Sequence, residues 1–273
     1  MATRMMKRGS EVEFQRMNEE EHIPTRLGDT ARISTDGGVR SVPPAVASPW
    51  HTLGLLLILG VAILVGIHAQ RTGEFGAGTR PDGHFHAAIP VYLIGIATTW
   101  ALFGYCALGV RGRGIWALAG GRWTSWKSVG TDLAVMVPFW LILTGAGAAV
   151  LWLLGADNAR SPWDSLSPQT ALEFVVWIGV CATAGICEEM IFRGYLQRQL
   201  HALSGNLGVA IVGQAVLFGL GHADQGWNHV FAIGVMGLLW GALAAWRRNL
   251  RVNMLSHTWT DVFVGWLEFM GWR

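Results

Sequence analysis

ALEFVVWIGVCATAGICEEMIFRGYLQ, residues 171–197, is apolar enough to cross a bilayer and yet carries Glu188, Glu189 and Arg193 within it. Even on the mildest insertion scale an ionisable side chain at membrane depth costs ~2.5 to 3.5 kcal/mol, so such residues stay where a function uses them. With the ~100° step of an α-helix, Glu189 and Arg193 at i, i+4 lie one above the other, and Arg193 can neutralise Glu189. Glu188 falls ~140° around the helix from Arg193 and does not share the face of Glu189. It is the carboxylate without a local partner, and a buried carboxylate of that kind can move protons in catalysis. The bland alternative is a cytoplasmic helix end whose charges reach back to water.

The chain around this stretch has the same character. Of its 273 residues 52% are hydrophobic and only 14% charged, with 36 Gly and 15 Trp. The apolar residues gather into runs at 50–69, 89–110, 129–154, 171–196, 207–221, 230–246 and 252–270. Most approach the ~20 residues that a spanning helix needs. Lipid offers no water to unpaired backbone groups, and the period-2 alternation of a barrel strand is missing, so the runs read as helices. The expected fold is an all-α polytopic membrane bundle of about seven helices, eight if the short fifth run conceals another, with a polar cavity among the C-terminal four.

Residues 1–47 differ in kind, with seven Lys or Arg, seven Asp or Glu and a Pro/Ser-rich exit at SVPPAVASP. They read as a flexible tail with no cleavable signal, leaving the first run as the insertion signal. Residues 48–170 form the N-terminal membrane helices and 171–273 the functional region. Arg111, Arg113, Arg122 and Lys127 lie between the second and third runs, and Arg247, Arg248 and Arg251 between the sixth and seventh. Both connections are expected in the cytoplasm, which puts the N-terminus inside an integral protein of the bacterial inner membrane. Cys106, Cys181 and Cys187 all fall within apolar runs and read as small packing residues.

Two later runs carry matching polar groups. LFGLGH places Phe218 and His222 at i, i+4, and NMLSHTWTDVF places His257 and Asp261 on one face at the same spacing. Taken singly, His222 reads as an interfacial residue, and His257 with Asp261 as a hydrogen-bonded pair that pins helix packing. Counted at 1.5 Å per residue from the inner boundary, Glu188, His222, His257 and Asp261 stand ~9 to 24 Å deep, levels that tilt can reconcile in one cavity open to the cytoplasm. His84, His86, and His229 with Asp224 read as outer interfacial groups. Asp132, Glu173 and Glu268 read as helix-end charges that reach water. The Gly237-x-x-x-Gly241 spacing reads as a close helix contact.

As a set, the E-E-x-x-x-R of Glu188, Glu189 and Arg193, the F-x-x-x-H of Phe218 and His222, and the H-x-x-x-(N/D) of His257 and Asp261 resemble the three motifs of the CAAX-processing and bacteriocin-self-immunity protease family. The resemblance covers about the last 100 residues. It implies an intramembrane endopeptidase acting on a membrane-associated protein or peptide, with no nucleic acid partner. It makes Glu188 the general base, with His222 helping to activate water, and His257 and Asp261 the groups at the oxyanion or water site. Glu189, Arg193 and Phe218 would support them. No cofactor is required if Glu188 is the base; zinc held by Glu188, His222, His257 and Asp261 is the alternative. A noncatalytic immunity or scaffold protein would use the same polar core for binding. A proton-coupled transporter would also place Glu, His and Asp in the membrane, but neither inverted repeats nor paired broken helices are evident.

Overall fold

The computed structural model describes residues 43–72, 88–112, 114–156 and 166–271. The tail up to residue 42 and His84 and His86 lie outside them, as do Arg113 and Trp163. Among the described residues seven helices follow one another: α1 Pro49–Thr72, α2 Ala88–Gly109, α3 Trp126–Leu153, α4 Ala171–Ser204, α5 Leu207–Leu220, α6 Trp227–Arg247 and α7 Arg251–Phe269. They coincide with the seven apolar runs to within about three residues, except that α4 continues eight residues beyond its run. This is an integral membrane, all-helical bundle, and α1, α2, α3, α4 and α6 are each long and apolar enough to cross. The other two depart for different reasons. α5 is apolar but has only 14 residues, about 21 Å of helix. α7 has 19 residues but carries Arg251, Asn253, His257 and Asp261, which lower its hydropathy.

Local chemistry sets the helix starts. Ser125 accepts from the Ser128 amide, and Thr170 from the Glu173 amide, each reciprocated as a capping box. Glu173 is therefore buried and engaged, its Oε2 accepting from the Gln169 and Thr170 amides at 2.8 and 3.1 Å. Asp132 is likewise no solvated helix end. It is fully buried, with Arg247 Nη2 at 2.6 Å, Arg251 Nε at 2.7 Å and Trp123 Nε1 at 2.8 Å. Sequence reading put Asp132 in water because it could not see Arg247 and Arg251, and put Glu173 there by overlooking the local T-x-x-E capping signature. The Asp132 cluster ties α3 to the α6–α7 connection. At the same end Gln199 fixes the segment that enters α1: its Oε1 accepts from the Val46 and Ala47 amides, and its Nε2 donates to the Ala47 carbonyl.

The core lies where α4 packs against α2, α5 and α7, and where α6 packs against α3 and α5. It is a continuous apolar cluster that includes Cys187, Met190, Ile191, Tyr195, Phe218 and Trp240. The three cysteines are buried and unpaired, as expected of small packing residues. Gly237 and Gly241 fulfil the close contact read from their spacing. A Cβ on Gly237 would stand 3.3 Å from Ala215 Cα on α5, and the Gly237 and Gly241 carbonyls accept from Gln214 and Gln197 at 2.9 and 3.0 Å.

Candidate active site

Between Ala184 and Leu196 the α4 chain takes a wider, π-helical winding, and this segment carries Glu188, Glu189 and Arg193. A π-turn bonds i to i+5 and steps by only about 80° per residue. Adjacent side chains therefore diverge less than the 100° used in reading the sequence. Glu188 and Glu189, expected on separate faces, both approach the imidazole of His257, one from each side.

Glu189 is fully buried and saturated. Its Oε1 accepts from Arg193 Nη1 at 2.8 Å and from His257 Nδ1 at 3.0 Å, while Asn253 Nδ2 donates to Oε2 at 3.1 Å. The i, i+4 pairing of Glu189 with Arg193 read from the sequence is thus present. Arg193, buried as well, lies over the Phe218 ring at 4.2 Å and near the Trp240 ring at 5.3 Å, a desolvated cation–π arrangement. Buried charges on this scale persist only when paired and hydrogen-bonded.

The other side of His257 is different. Nε2 stands 3.9 Å from Glu188 Oε2 and 3.7 Å from Asp261 Oδ2, too far for direct hydrogen bonds and suited to an intervening oxygen. Glu188 Oε2 has no hydrogen-bond partner among the described residues, in agreement with its reading as the carboxylate without a local partner. The side chains of Glu188 and Asp261 are 22% and 33% exposed, against 5% for His257 and none for Glu189. His257 thus divides a dry, bonded half of the cluster from an open half with two carboxylates.

The tautomers follow from the partners. A carboxylate only accepts, so His257 Nδ1 carries hydrogen and donates to Glu189. His222 Nδ1 lies 2.8 Å from the Phe218 carbonyl, which also only accepts, so His222 Nδ1 donates and its Nε2 is left as an acceptor. Phe218 connects the two imidazoles, its ring meeting His222 edge-on at 4.9 Å and His257 at 5.9 Å. Trp240 lies against His257 at 4.5 Å and is held by its Nε1 donating to Ser256 Oγ at 3.0 Å. Sequence reading overlooked two members of this cluster, Asn253 and Trp240. Asn253 carried a signal, since it precedes His257 by one helical repeat, just as Asp261 follows it. Trp240 carried none, being one of 15 tryptophans.

Zinc would need three or four of these donors to converge on one point. Among the described residues no three His, Cys, Asp or Glu side chains are placed to hold one. The donor set does not fit a zinc ion, and the chemistry below uses the side chains alone.

A polytopic bundle in which α4 and α7 bury a carboxylate–imidazole cluster, with an aromatic–His corner from α5 beside it, defines the class: a membrane protein with an ionisable site inside the helix bundle. Residues 170–263 match the model of the type II CAAX prenyl endopeptidase Rce1-like family. The match runs from the cap of α4 into α7 and contains all seven motif residues. No curated protein and no solved structure gives a significant match.

Proposed function

We propose that this protein is an intramembrane endopeptidase that hydrolyses a peptide bond of a membrane-associated protein or peptide, with Glu188 as general base. The observation that carries the reading is the asymmetry around His257: Nδ1 is consumed by Glu189, whereas Nε2 faces Glu188 and Asp261 across gaps of 3.9 and 3.7 Å. A water in this open half gives one proton to Glu188 as its oxygen attacks the carbonyl carbon. His222 Nε2, free to accept, orients that water. The tetrahedral oxyanion accepts from Nε2–H of His257 in its doubly protonated form, which keeps Nδ1–H on Glu189, because an ionised Asp261 has no hydrogen to donate. Asp261 instead orients the imidazole. Glu188 returns its proton to the departing amine as the C–N bond breaks, leaving the new carboxylic acid and amine. Glu189 and Arg193 hold His257 from behind.

The substrate cavity is read as opening to the cytoplasm, with the N-terminus on that side of a bacterial inner membrane. The basic residues Arg111, Arg122, Lys127, Arg247, Arg248 and Arg251 in the α2–α3 and α6–α7 connections support this orientation. The test is cleavage of membrane-tethered peptides, prenylated and unprenylated, by the purified protein beside its Glu188→Gln variant. Cleavage by the wild type that vanishes in folded Glu188→Gln is the expected outcome. Equal cleavage by both overturns the role of Glu188, and no cleavage of any peptide by the wild type favours a binding or immunity protein using the same core.

A further inference from the structure

Asn253 belongs to none of the three motifs, yet it is fully buried on α7 and bonded to the carboxylate that holds His257. Its Nδ2 donates to Glu189 Oε2 at 3.1 Å and to the Trp240 carbonyl at 2.8 Å. Both neighbours can only accept, so chemistry settles the orientation of the amide: a flipped Asn253 would set an oxygen against two acceptors. Its Oδ1 has no partner among the described residues. The side chain therefore keeps one buried acceptor unsatisfied while both of its bonds lead to groups that touch His257, a cost that needs a compensating role.

We propose that Asn253 is a positioning residue that holds Glu189 and Trp240 in register and thereby keeps Nδ1 of His257 protonated and its ring in plane. The α4 carboxylate has two oxygens and three donors. With Oε2 anchored by Asn253, Oε1 is presented to His257 Nδ1 and Arg193 Nη1 together. The second bond acts on the same ring through a different contact, since the Trp240 carbonyl belongs to the residue whose indole lies 4.5 Å from His257. Without Asn253, the Glu189 carboxylate is free to turn toward Arg193 alone, a bidentate pairing that guanidinium geometry favours. His257 Nδ1–H then loses its acceptor, and neither its proton nor the plane of the ring is held. Asn253 touches neither substrate nor the reacting atoms, and its catalytic effect rests on the endopeptidase reading given above.

The experiment pairs cleavage of a membrane-tethered peptide with nitrogen NMR of the imidazoles in 15N-histidine-labelled full-length protein, the His257 signals being assigned by His257→Gln. In Asn253→Ala, kcat is expected to fall at least tenfold with KM little changed, and the His257 pattern to move away from the hydrogen-bonded Nδ1–H form of the wild type. In a double-mutant cycle with Glu189→Gln, the second substitution should cost little further activity, because Asn253 acts through that carboxylate. Should Asn253→Ala fail to fold, Asn253→Asp, of the same shape but without the donor, serves for the same measurements. Unchanged His257 signals in a folded variant overturn the proposal, as do fully additive losses in the cycle. The NMR result stands even if no peptide is cleaved, so failure of the positioning role and failure of the endopeptidase reading can be told apart.

Discussion

Replacing Gly185 by Ala tests whether the site depends on the close approach of α4 and α7. Gly185 precedes Glu189 by four residues on α4 and lies against Met254 and Thr258 of α7. A Cβ there would stand 2.8 Å from the Thr258 amide nitrogen and 2.9 Å from the Met254 carbonyl oxygen, and would also meet Thr258 Oγ1. The hydroxyl can rotate away; the backbone atoms cannot. Reaching an ordinary contact of about 3.5 Å needs a local separation of about 0.6 Å. Applied to the neighbouring His257 Nδ1 and Glu189 Oε1, now 3.0 Å apart, that displacement takes the bond beyond hydrogen-bonding range. Ala gains up to ~1 kcal/mol of helix propensity over Gly, but overpacking costs ~1 to 3 kcal/mol and loss of a hydrogen bond to a charged group ~1.5 to 3 kcal/mol. A net destabilisation of roughly 2 kcal/mol is expected. A shift of this size at a reacting centre should also lower cleavage at least tenfold. Gly179→Ala on the exposed side of the same helix is the control, since its Cβ would meet only Ile96 Cδ1 at 3.9 Å. Equilibrium unfolding in mild detergent reads the stability, and cleavage of a tethered peptide reads the site. A Gly185→Ala protein that unfolds and cleaves like the wild type would refute the packing argument.

Four further substitutions and one treatment follow from the same geometry. Glu189→Ala leaves Arg193 buried and unpaired and should destabilise by ~3 to 5 kcal/mol, whereas Glu188→Gln, whose Oε2 bonds to nothing described, should change the unfolding midpoint little while abolishing cleavage; equal midpoints for the two would sink the division between them. Asp132→Ala removes the partner of Arg247 and Arg251, side chains 20% and 18% exposed that can turn to water, so a smaller loss of ~1 to 3 kcal/mol is expected on thermal unfolding. His222→Ala should stop turnover with the bundle intact, and a variant retaining wild-type kcat would remove His222 from the water site. Chelator treatment of the purified protein should leave cleavage unchanged, and a loss restored by added zinc would contradict the donor geometry.

The helices were legible because a bilayer enforces sharp edges: runs of apolar residues end where the chain meets polar water, and α3, α6 and α7 begin and end within about three residues of the runs that announced them. Within the site, the Glu189–Arg193 pair followed from helical spacing alone, and so did the absence of a partner for Glu188 on its own helix. What spacing could not supply was anything contributed by a second helix. Asp132 looked like a solvated end until Arg247 and Arg251 were placed around it. Asn253 looked like one more polar residue near a helix start, and only its two acceptors, one on α4 and one on α6, give it a part.

The winding of α4 was equally invisible in the sequence, and it bears most directly on the chemistry. In a regular α-helix two adjacent glutamates point to sites a quarter turn or more apart, and one imidazole meets only one of them. The wider winding over Ala184–Leu196 lets both reach His257 while leaving them in opposite surroundings. Glu189 has three donors and no exposure; Glu188 has an oxygen without a partner and a fifth of its side chain open. Two identical residues thereby stand in different surroundings, one as the fixed counter-charge behind the ring and the other in front of it, where the proposed general base belongs.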